Sequence, residues 1–278
     1  MKPIYSICVT HFNDVSTLKD SLESILIQID RNFEVVVVDQ RSTDGSRQIL
    51  QDYADAGKIR LFDMQKRNRG LGRQLAFEKS LGEYIISNID MDDIYNPVLP
   101  NIVELHKQKC QDSLLRVVSP TQTMSVNIAP RRLIERLGGW RDLVYFEDAD
   151  IFCRAAGIGK YRWTTYPLDR IVNVHQDRKS SLRRAQHLIL TKREGMRIGL
   201  FEKPQIESLT RLLLWSIAWI ESRFQRRYRS STPEAGKGQD SRLVLMTLMD
   251  QNEPDGTFVD FGFGSPVTTL NEMEDSCK

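Results

Sequence analysis

Long apolar runs are missing from this sequence of 278 residues. No segment reaches the roughly 18 apolar residues in a row that a membrane-crossing helix needs, which excludes a chain built from such helices. Cysteine is scarce and scattered: Cys8, Cys110, Cys153 and Cys277 show no CxxC spacing, so neither a zinc site nor a disulfide framework is indicated. Three of the four stand in apolar or helical surroundings, where free thiols pack as small hydrophobes, and a reducing compartment is expected. A strong charge of either sign is also absent. Against 39 Lys and Arg stand 37 Asp and Glu, a net charge of +2, so no overall field favours nucleic acid as a partner. The start, Met-Lys-Pro-Ile-Tyr-Ser, leads straight into a strand without the apolar core of a signal peptide, and a cytoplasmic location is expected. There is no GxxxxGK[ST] loop, which argues against a P-loop NTPase. Gly70-Leu71-Gly72 is only a fragment of a dinucleotide fingerprint and follows the wrong strand.

What is present is a strand–helix alternation. Ile4 to Val9 reads as a strand, and Asn13 or Asp14 is placed to cap a helix in which Leu18, Leu22, Ile25 and Leu26 recur at helical spacing. Phe33 to Val38 is a second strand, and its run of four valines predicts burial on both faces, as in a parallel sheet. A helix near Ser46–Tyr53, a strand at Ile59–Phe62, a helix over Gly72–Leu81 and a strand starting at Tyr84 continue the pattern. Connections of this length suit parallel crossovers, so the expected fold class is α/β, a mostly parallel sheet flanked by helices. Polar clusters follow four successive strands: Thr10–Asp14, Asp39, Arg67–Arg69 and Asp90–Asp93. In open α/β sheets, ligands bind outside the carboxyl ends of the strands.

The cluster Asp90, Asp92, Asp93 has two readings. Hard oxygen ligands at the mouth of a sheet suit Mg²⁺ or Mn²⁺, which hold substrate phosphates with only one or two protein carboxylates. An acidic turn capping the helix that starts near Pro97 explains the same residues. Further on, Leu115–Ser119, Met124–Ala129 and Ile171–Val174 read as strands, and Glu147, Asp148 and Asp150 open a helix. There, acids interact favourably with the helix dipole, and Asp150 pairs with Arg154 at i,i+4. His175, taken alone, reads as structural. Leu209–Ile220 is apolar nearly all round, carries Trp215 and Trp219, and is followed by Arg223, Arg226, Arg227 and Arg229. It suits either packing on the catalytic domain or a seat in a membrane interface. Ser230–Ser241, rich in Ser, Gly, Pro and charge, reads as a flexible linker.

Together these pieces resemble the family-2 glycosyltransferases of the GT-A fold. The resemblance runs from about Ile4 to His175. Val38-Asp39 with Ser42-Thr43-Asp44-Gly45-Ser46 is similar to the family's VD-x-x-STD-G-[ST] loop. Asn68-Arg69-Gly70, Gly82-Glu83-Tyr84-Ile85 and Asp90-Met91-Asp92-Asp93 follow its N-x-G … GEYI … DxDD series. Gly138-Gly139-Trp140 before Glu147-Asp148-Ala149-Asp150-Ile151 resembles its acceptor-side motif. The chain departs from the pattern at Gln40, at Arg73-Gln74-Leu75-Ala76 and at Thr10-His11-Phe12, positions that bear on base and sugar specificity.

The resemblance implies roles. Thr10, Phe12, Asp39, Asn68, Arg73 and Asp90 would bind the nucleotide, with Phe12 against the base, Asp39 hydrogen-bonded to it and Asp90 at the ribose. Asp92 and His175 would hold the Mn²⁺ or Mg²⁺ that bridges the diphosphate. Asp148 would be the catalytic base, with Glu147 its rival. The reaction implied is inverting transfer of one sugar from a UDP- or GDP-sugar to a hydroxyl acceptor, a glycan, polysaccharide or lipid-linked one. No Q-x-x-R-W motif of processive synthases is present. A nucleotidyltransferase using the same metal and a non-catalytic nucleotide-sugar-binding domain are the alternatives. The expected organisation is a catalytic domain over 1–178, a basic, Trp-containing helical extension over 179–229, and a linker and tail over 230–278. Peripheral association with the inner membrane face is expected to accompany the extension if it seats in lipid.

Overall fold

The computed structural model describes residues 2–95, 97–118, 125–165, 171–173, 181–198, 209–224 and 259–260. The first half alternates as the sequence predicts: β1 (Tyr5–His11), α1 (Val15–Leu26), β2 (Phe33–Asp39), α2 (Ser46–Asp55), β3 (Arg60–Asp63), α3 (Arg69–Lys79) and β4 (Tyr84–Ile89). Then come β5 (Asp93–Tyr95), α4 (Leu99–Lys109), β6 (Leu114–Val118), β7 (Ser125–Pro130), α5 (Arg131–Leu137), α6 (Glu147–Gly157), β8 (Tyr161–Thr165) and β9 (Ile171–Asn173). Two helices, α7 (Ser181–Arg197) and α8 (Leu209–Arg223), and a short β10 (Val259–Asp260) follow.

The main sheet has the order β10-β8-β6-β7-β4-β1-β2-β3. Strands β4, β1, β2 and β3 are mutually parallel. β7 runs antiparallel between β4 and β6, and β8 is parallel to β6. Side chains of β2 divide by parity: Val35 and Val37 join one apolar cluster, Val36 and Val38 the other. That is the two-faced burial expected of the valine run, with α1, α2 and α4 supplying residues to the first cluster and α3, α5 and α6 to the second.

β4 breaks this parity just before the acidic turn. Asn88 has φ 63°, and the pairing of β1 with β4 shifts register between Ile7 and Val9. Ile86 and Ile89 therefore share one cluster although three positions apart. A bulge of this kind re-aims the end of a strand, and Asn tolerates the left-handed region better than most residues. Its side chain holds the bend: Nδ2 donates to the carbonyl and hydroxyl oxygens of Ser125, each at 2.8 Å, and Oδ1 accepts from Arg73 at 2.9 Å.

Three local expectations change. Asp93–Tyr95, read as turn, is a strand paired antiparallel with Ile171–Asn173; a three-residue strand has too little periodicity to show in sequence. α3 starts at Arg69, earlier than its glycines suggest, because Asn68 Oδ1 accepts from Leu71 N–H at 2.9 Å and caps it. Asp14 stands at the cap position of α1 but its side chain makes no cap hydrogen bond; the Asp44 carboxylate accepts from Val15 N–H at 2.8 Å instead. Cys8, Cys110 and Cys153 are buried free thiols, as expected. Among the described residues, no helix is long and apolar enough to cross a membrane.

Candidate active site

At the carboxyl ends of β1, β2 and β4 lies a cleft of about 410 Å³, within the range of small-molecule sites. β1 and its exit contribute Thr10, His11 and Phe12; the loop before α3 contributes Arg67, Asn68 and Arg69; the turn after β4 contributes Asp90 and Asp92. Gln40, Val144, Tyr145 and Leu190 complete much of the wall. Leu190 belongs to α7, beyond the expected domain boundary at 178, so the helical extension reaches the cleft.

The acidic turn is built from its surroundings. Ligand oxygens of Asp90, Asp92 and Asp93 all lie within 4.8 Å of one another, with Asp90 exposed, Asp92 half-buried and Asp93 buried. Tyr95 fixes the turn backbone. Its hydroxyl accepts from Asp90 N–H at 2.9 Å and donates to the Asp90 carbonyl at 3.1 Å. Burial, with Asp90 and Asp93 beside it, pushes the Tyr95 phenol well above its ordinary pKa, so it stays a donor. Thr17 of α1 donates to the Met91 carbonyl at 2.9 Å. Converging hard oxygen donors on a braced turn fit a small divalent cation that takes its other ligands from phosphate.

The side of the cleft expected to take the nucleotide is more preassembled than the motifs suggest. Gln40 Nε2 donates to the Asn68 carbonyl at 2.9 Å, and Asn68 N–H donates back to Gln40 Oε1 at 3.1 Å. Asn68 Nδ2 donates to Asp142 at 2.6 Å. Gly70 N–H donates to the Leu143 carbonyl at 2.9 Å, and a Cβ at Gly70 would stand 2.0 Å from the Arg141 carbonyl oxygen. Only a glycine lets α3 approach the 141–143 backbone so closely. Arg67 lies over the Phe12 ring at 4.0 Å, forming a flat cation–π wall.

Two expected nucleotide contacts sit elsewhere. Asp39 is buried and does not line the cleft; its carboxylate accepts from Ser42 N–H at 3.1 Å and Ser42 hydroxyl at 2.5 Å. Arg73 is also absent from the lining. It is buried behind α3, donating to Asn88, to Glu147 at 3.3 Å and to Asp148 at 3.0 Å. The reason is geometric: Arg73 lies on the face of α3 that meets α6, a pairing invisible in α3 alone. His175 falls outside the described residues.

Glu147 and Asp148 thus share one arginine. Their side chains are 5% and 17% exposed, respectively, and the Trp140 indole N–H donates to Asp148 at 3.3 Å. Burial, and then the neighbouring Asp148 charge, push the Glu147 carboxyl up to about 7. Asp150 is structural, as its spacing predicts: Arg154 donates to it at 2.7 Å and Arg141 at 2.9 Å. Val144 and Tyr145 line the cleft and lead directly into α6, which places the acids beside it without being in its wall.

The model of glycosyl transferase family 2 matches residues 6–158, which include both acidic clusters, the one after β4 and the one that opens α6. The chain belongs to that family. The putative teichuronic acid biosynthesis glycosyltransferase TuaG of Bacillus subtilis is 32% identical over 94 residues, 33% of this chain and 37% of that protein. The putative glycosyltransferase EpsE of the same organism is 34% identical over 99 residues, 34% and 35% of the two chains. An uncharacterized glycosyltransferase of Rickettsia felis is 28% identical over 90 residues, 32% of this chain and 15% of its own length. The matched stretch spans well under half of each of these relatives. In fold, the chain is similar to the mannosyltransferase PcManGT from Pyrobaculum calidifontis, solved with GDP-Man and Mn²⁺. The TM-score is 0.57 at 20% identity, covering 90% of this chain and 80% of that one. It is also similar to TarS 1-349 of S. aureus in complex with UDP-GlcNAc, with a TM-score of 0.52 at 15% identity, covering 79% and 80%. The fold is therefore that of GT-A glycosyltransferases.

Within the family, the Gln40–Asn68 latch and the Tyr95 and Thr17 braces are what the motifs left unseen. Gln40 stood out in the sequence as a departure, and its role is to close the loop before α3.

Proposed function

We propose that the chain is a metal-dependent, inverting glycosyltransferase that moves one sugar from a nucleoside-diphosphate sugar to a hydroxyl acceptor. The observation that carries this is the braced carboxylate turn Asp90–Asp93 in one cleft with Arg67 and Arg69. The fold neighbours bound to GDP-Man with Mn²⁺ and to UDP-GlcNAc support a nucleotide-sugar donor. Asp92 would hold Mn²⁺ or Mg²⁺, which when bound would supply Lewis-acid neutralisation of the leaving diphosphate. Asp90 stands at the ribose, Arg69 faces phosphate oxygens, and Thr10 and Phe12 border the base. The acceptor hydroxyl oxygen attacks the anomeric carbon as the bond to the diphosphate oxygen breaks, and its proton passes to Asp148. Attack opposite the leaving group inverts the anomeric centre. Arg73 holds Asp148 in place, while burial favours the protonated form of Glu147.

Asp92→Asn is expected to lose the Mn²⁺-dependent part of UDP or GDP affinity, read by calorimetry with and without the ion. Unchanged Mn²⁺ dependence in the variant would place the metal elsewhere.

We further propose peripheral association with anionic membrane, which would suit a lipid-linked acceptor. Trp215, Ala218 and Ser222 are buried, with Lys192 of α7 4.4 Å from the Trp215 ring, while Ile217 (37%), Ile220 (51%) and Phe224 (86%) are exposed. Spacings of three and four residues put each set on its own side of α8, and Arg223 lies over Trp219 at 4.2 Å. Flotation with anionic but not neutral vesicles at low salt is expected, and Phe224→Ser should reduce it. Equal behaviour with both vesicle types would leave α8 as a packing element only.

A further inference from the structure

We propose that His11 reads the nucleobase of the donor, its Nε2 hydrogen-bonding the polar edge of the ring that lies against Phe12. This rests on the donor-site reading above and assigns the recognition to a residue different from the one the motifs indicate. His11 ends β1, opposite Asp39 in the parallel pairing. Its side chain is 3% exposed, lines the cleft, and its buried Nε2 has no hydrogen-bond partner among the described residues. A buried polar atom left in this state is costly and calls for an explanation.

The polar groups around it are already engaged. Both amide atoms of Gln40 are taken by the Asn68 backbone. The Asp39 carboxylate faces Ser42 and lies outside the cleft wall. Asn68 caps α3 and binds Asp142. His11 Nε2 is therefore spare hydrogen-bonding capacity at this end of the cleft.

The chemistry selects a base over a phosphate. Burial keeps the His11 imidazole below its ordinary pKa, outweighing the opposing pull of Asp39, Asp14 and Asp44. A neutral imidazole offers one donor and one acceptor and no charge for a diphosphate. Beside it, the Arg67–Phe12 stack presents a flat face to a planar heteroaromatic ring. The hard ligands that suit a metal–diphosphate lie at the exit of another strand, β4.

The test measures binding of UDP, GDP, CDP and ADP, each with Mn²⁺, by calorimetry to wild type, His11→Leu and His11→Gln. Melting temperatures without ligand are recorded in parallel. Wild type is expected to prefer some bases over others. His11→Leu is expected to lose about three- to tenfold in affinity for the preferred nucleotide, with little change for the others, so that the preference flattens. Its unliganded melting temperature should equal or exceed that of wild type, because the unpaired nitrogen is gone. His11→Gln, whose terminal amide reaches about as far as Nε2, should recover part of the preference. An unaltered preference in both variants, or an equal loss for all four nucleotides, overturns the assignment while the donor-site reading stands. Absence of binding by wild type to any of the four overturns both.

Discussion

Asp148→Asn is expected to lower the rate of sugar transfer by at least about 10² while donor affinity and its Mn²⁺ dependence stay near wild type. Loss of a general base typically costs about 10²–10⁴ in rate, roughly 2.7–5.5 kcal/mol of barrier. Asparagine keeps the shape but offers one acceptor oxygen where Asp148 offers two, Oδ2 to Arg73 at 3.0 Å and Oδ1 to the Trp140 indole at 3.3 Å, so one of the two contacts is kept. What it cannot do is take a proton. Initial rates at saturating donor, set beside nucleotide affinity from calorimetry, separate the two effects. Glu147→Gln is the comparison. Burial already favours the protonated form of Glu147, and glutamine imitates that form, so its rate should change far less. If Glu147→Gln is the slow variant and Asp148→Asn turns over normally, the base is one residue earlier. If neither variant is slowed, the inverting mechanism proposed above is wrong.

Arg154→Met is expected to destabilise the fold by about 3–5 kcal/mol, the usual consequence of breaking a buried ion pair from one side. Against a total of roughly 5–15 kcal/mol for a folded domain, that approaches loss of the folded state. Arg154 is fully buried. It donates to Asp150 from Nε at 3.1 Å and from Nη2 at 2.7 Å, to the Gly139 carbonyl at 2.8 Å and to the Leu137 carbonyl. Methionine replaces the stem but leaves Asp150 with Arg141 alone and two carbonyls without their donor. Those carbonyls lie at the end of α5 and in the Gly138–Gly139 turn, where both glycines adopt positive φ. The loop that follows bears Trp140, Val144 and Tyr145, so activity should fall together with stability. Urea unfolding measures the change, at constant slope if the transition remains two-state. Asp150→Leu combined with Arg154→Met removes the stranded charge and should be less damaging than Arg154→Met alone. A single variant as stable as wild type would show that the pair contributes nothing to holding α5 against α6.

Much of the fold is legible in the sequence because its cause is local. The four valines of β2 specify burial on two faces wherever the strand is placed. Asp150 and Arg154 meet because a helix brings i and i+4 together. The acids at the exit of β4 adjoin one another in the chain, so their convergence needs only a turn. Tertiary structure alone decided which polar side chains remain available to a ligand. Asp39 and His11 are register partners on adjacent strands, yet Ser42 engages the Asp39 carboxylate while His11 Nε2 has no partner among the described residues. Gln40 looked like a lost ligand until the Asn68 backbone came within reach across 28 residues. Arg73 turned from the nucleotide to two acids of α6, 74 and 75 positions further along the chain. The physical reason is that periodicity is set by the backbone of a single element, whereas hydrogen-bond partnership is set by how separate elements pack, and that packing is written in no one stretch of residues.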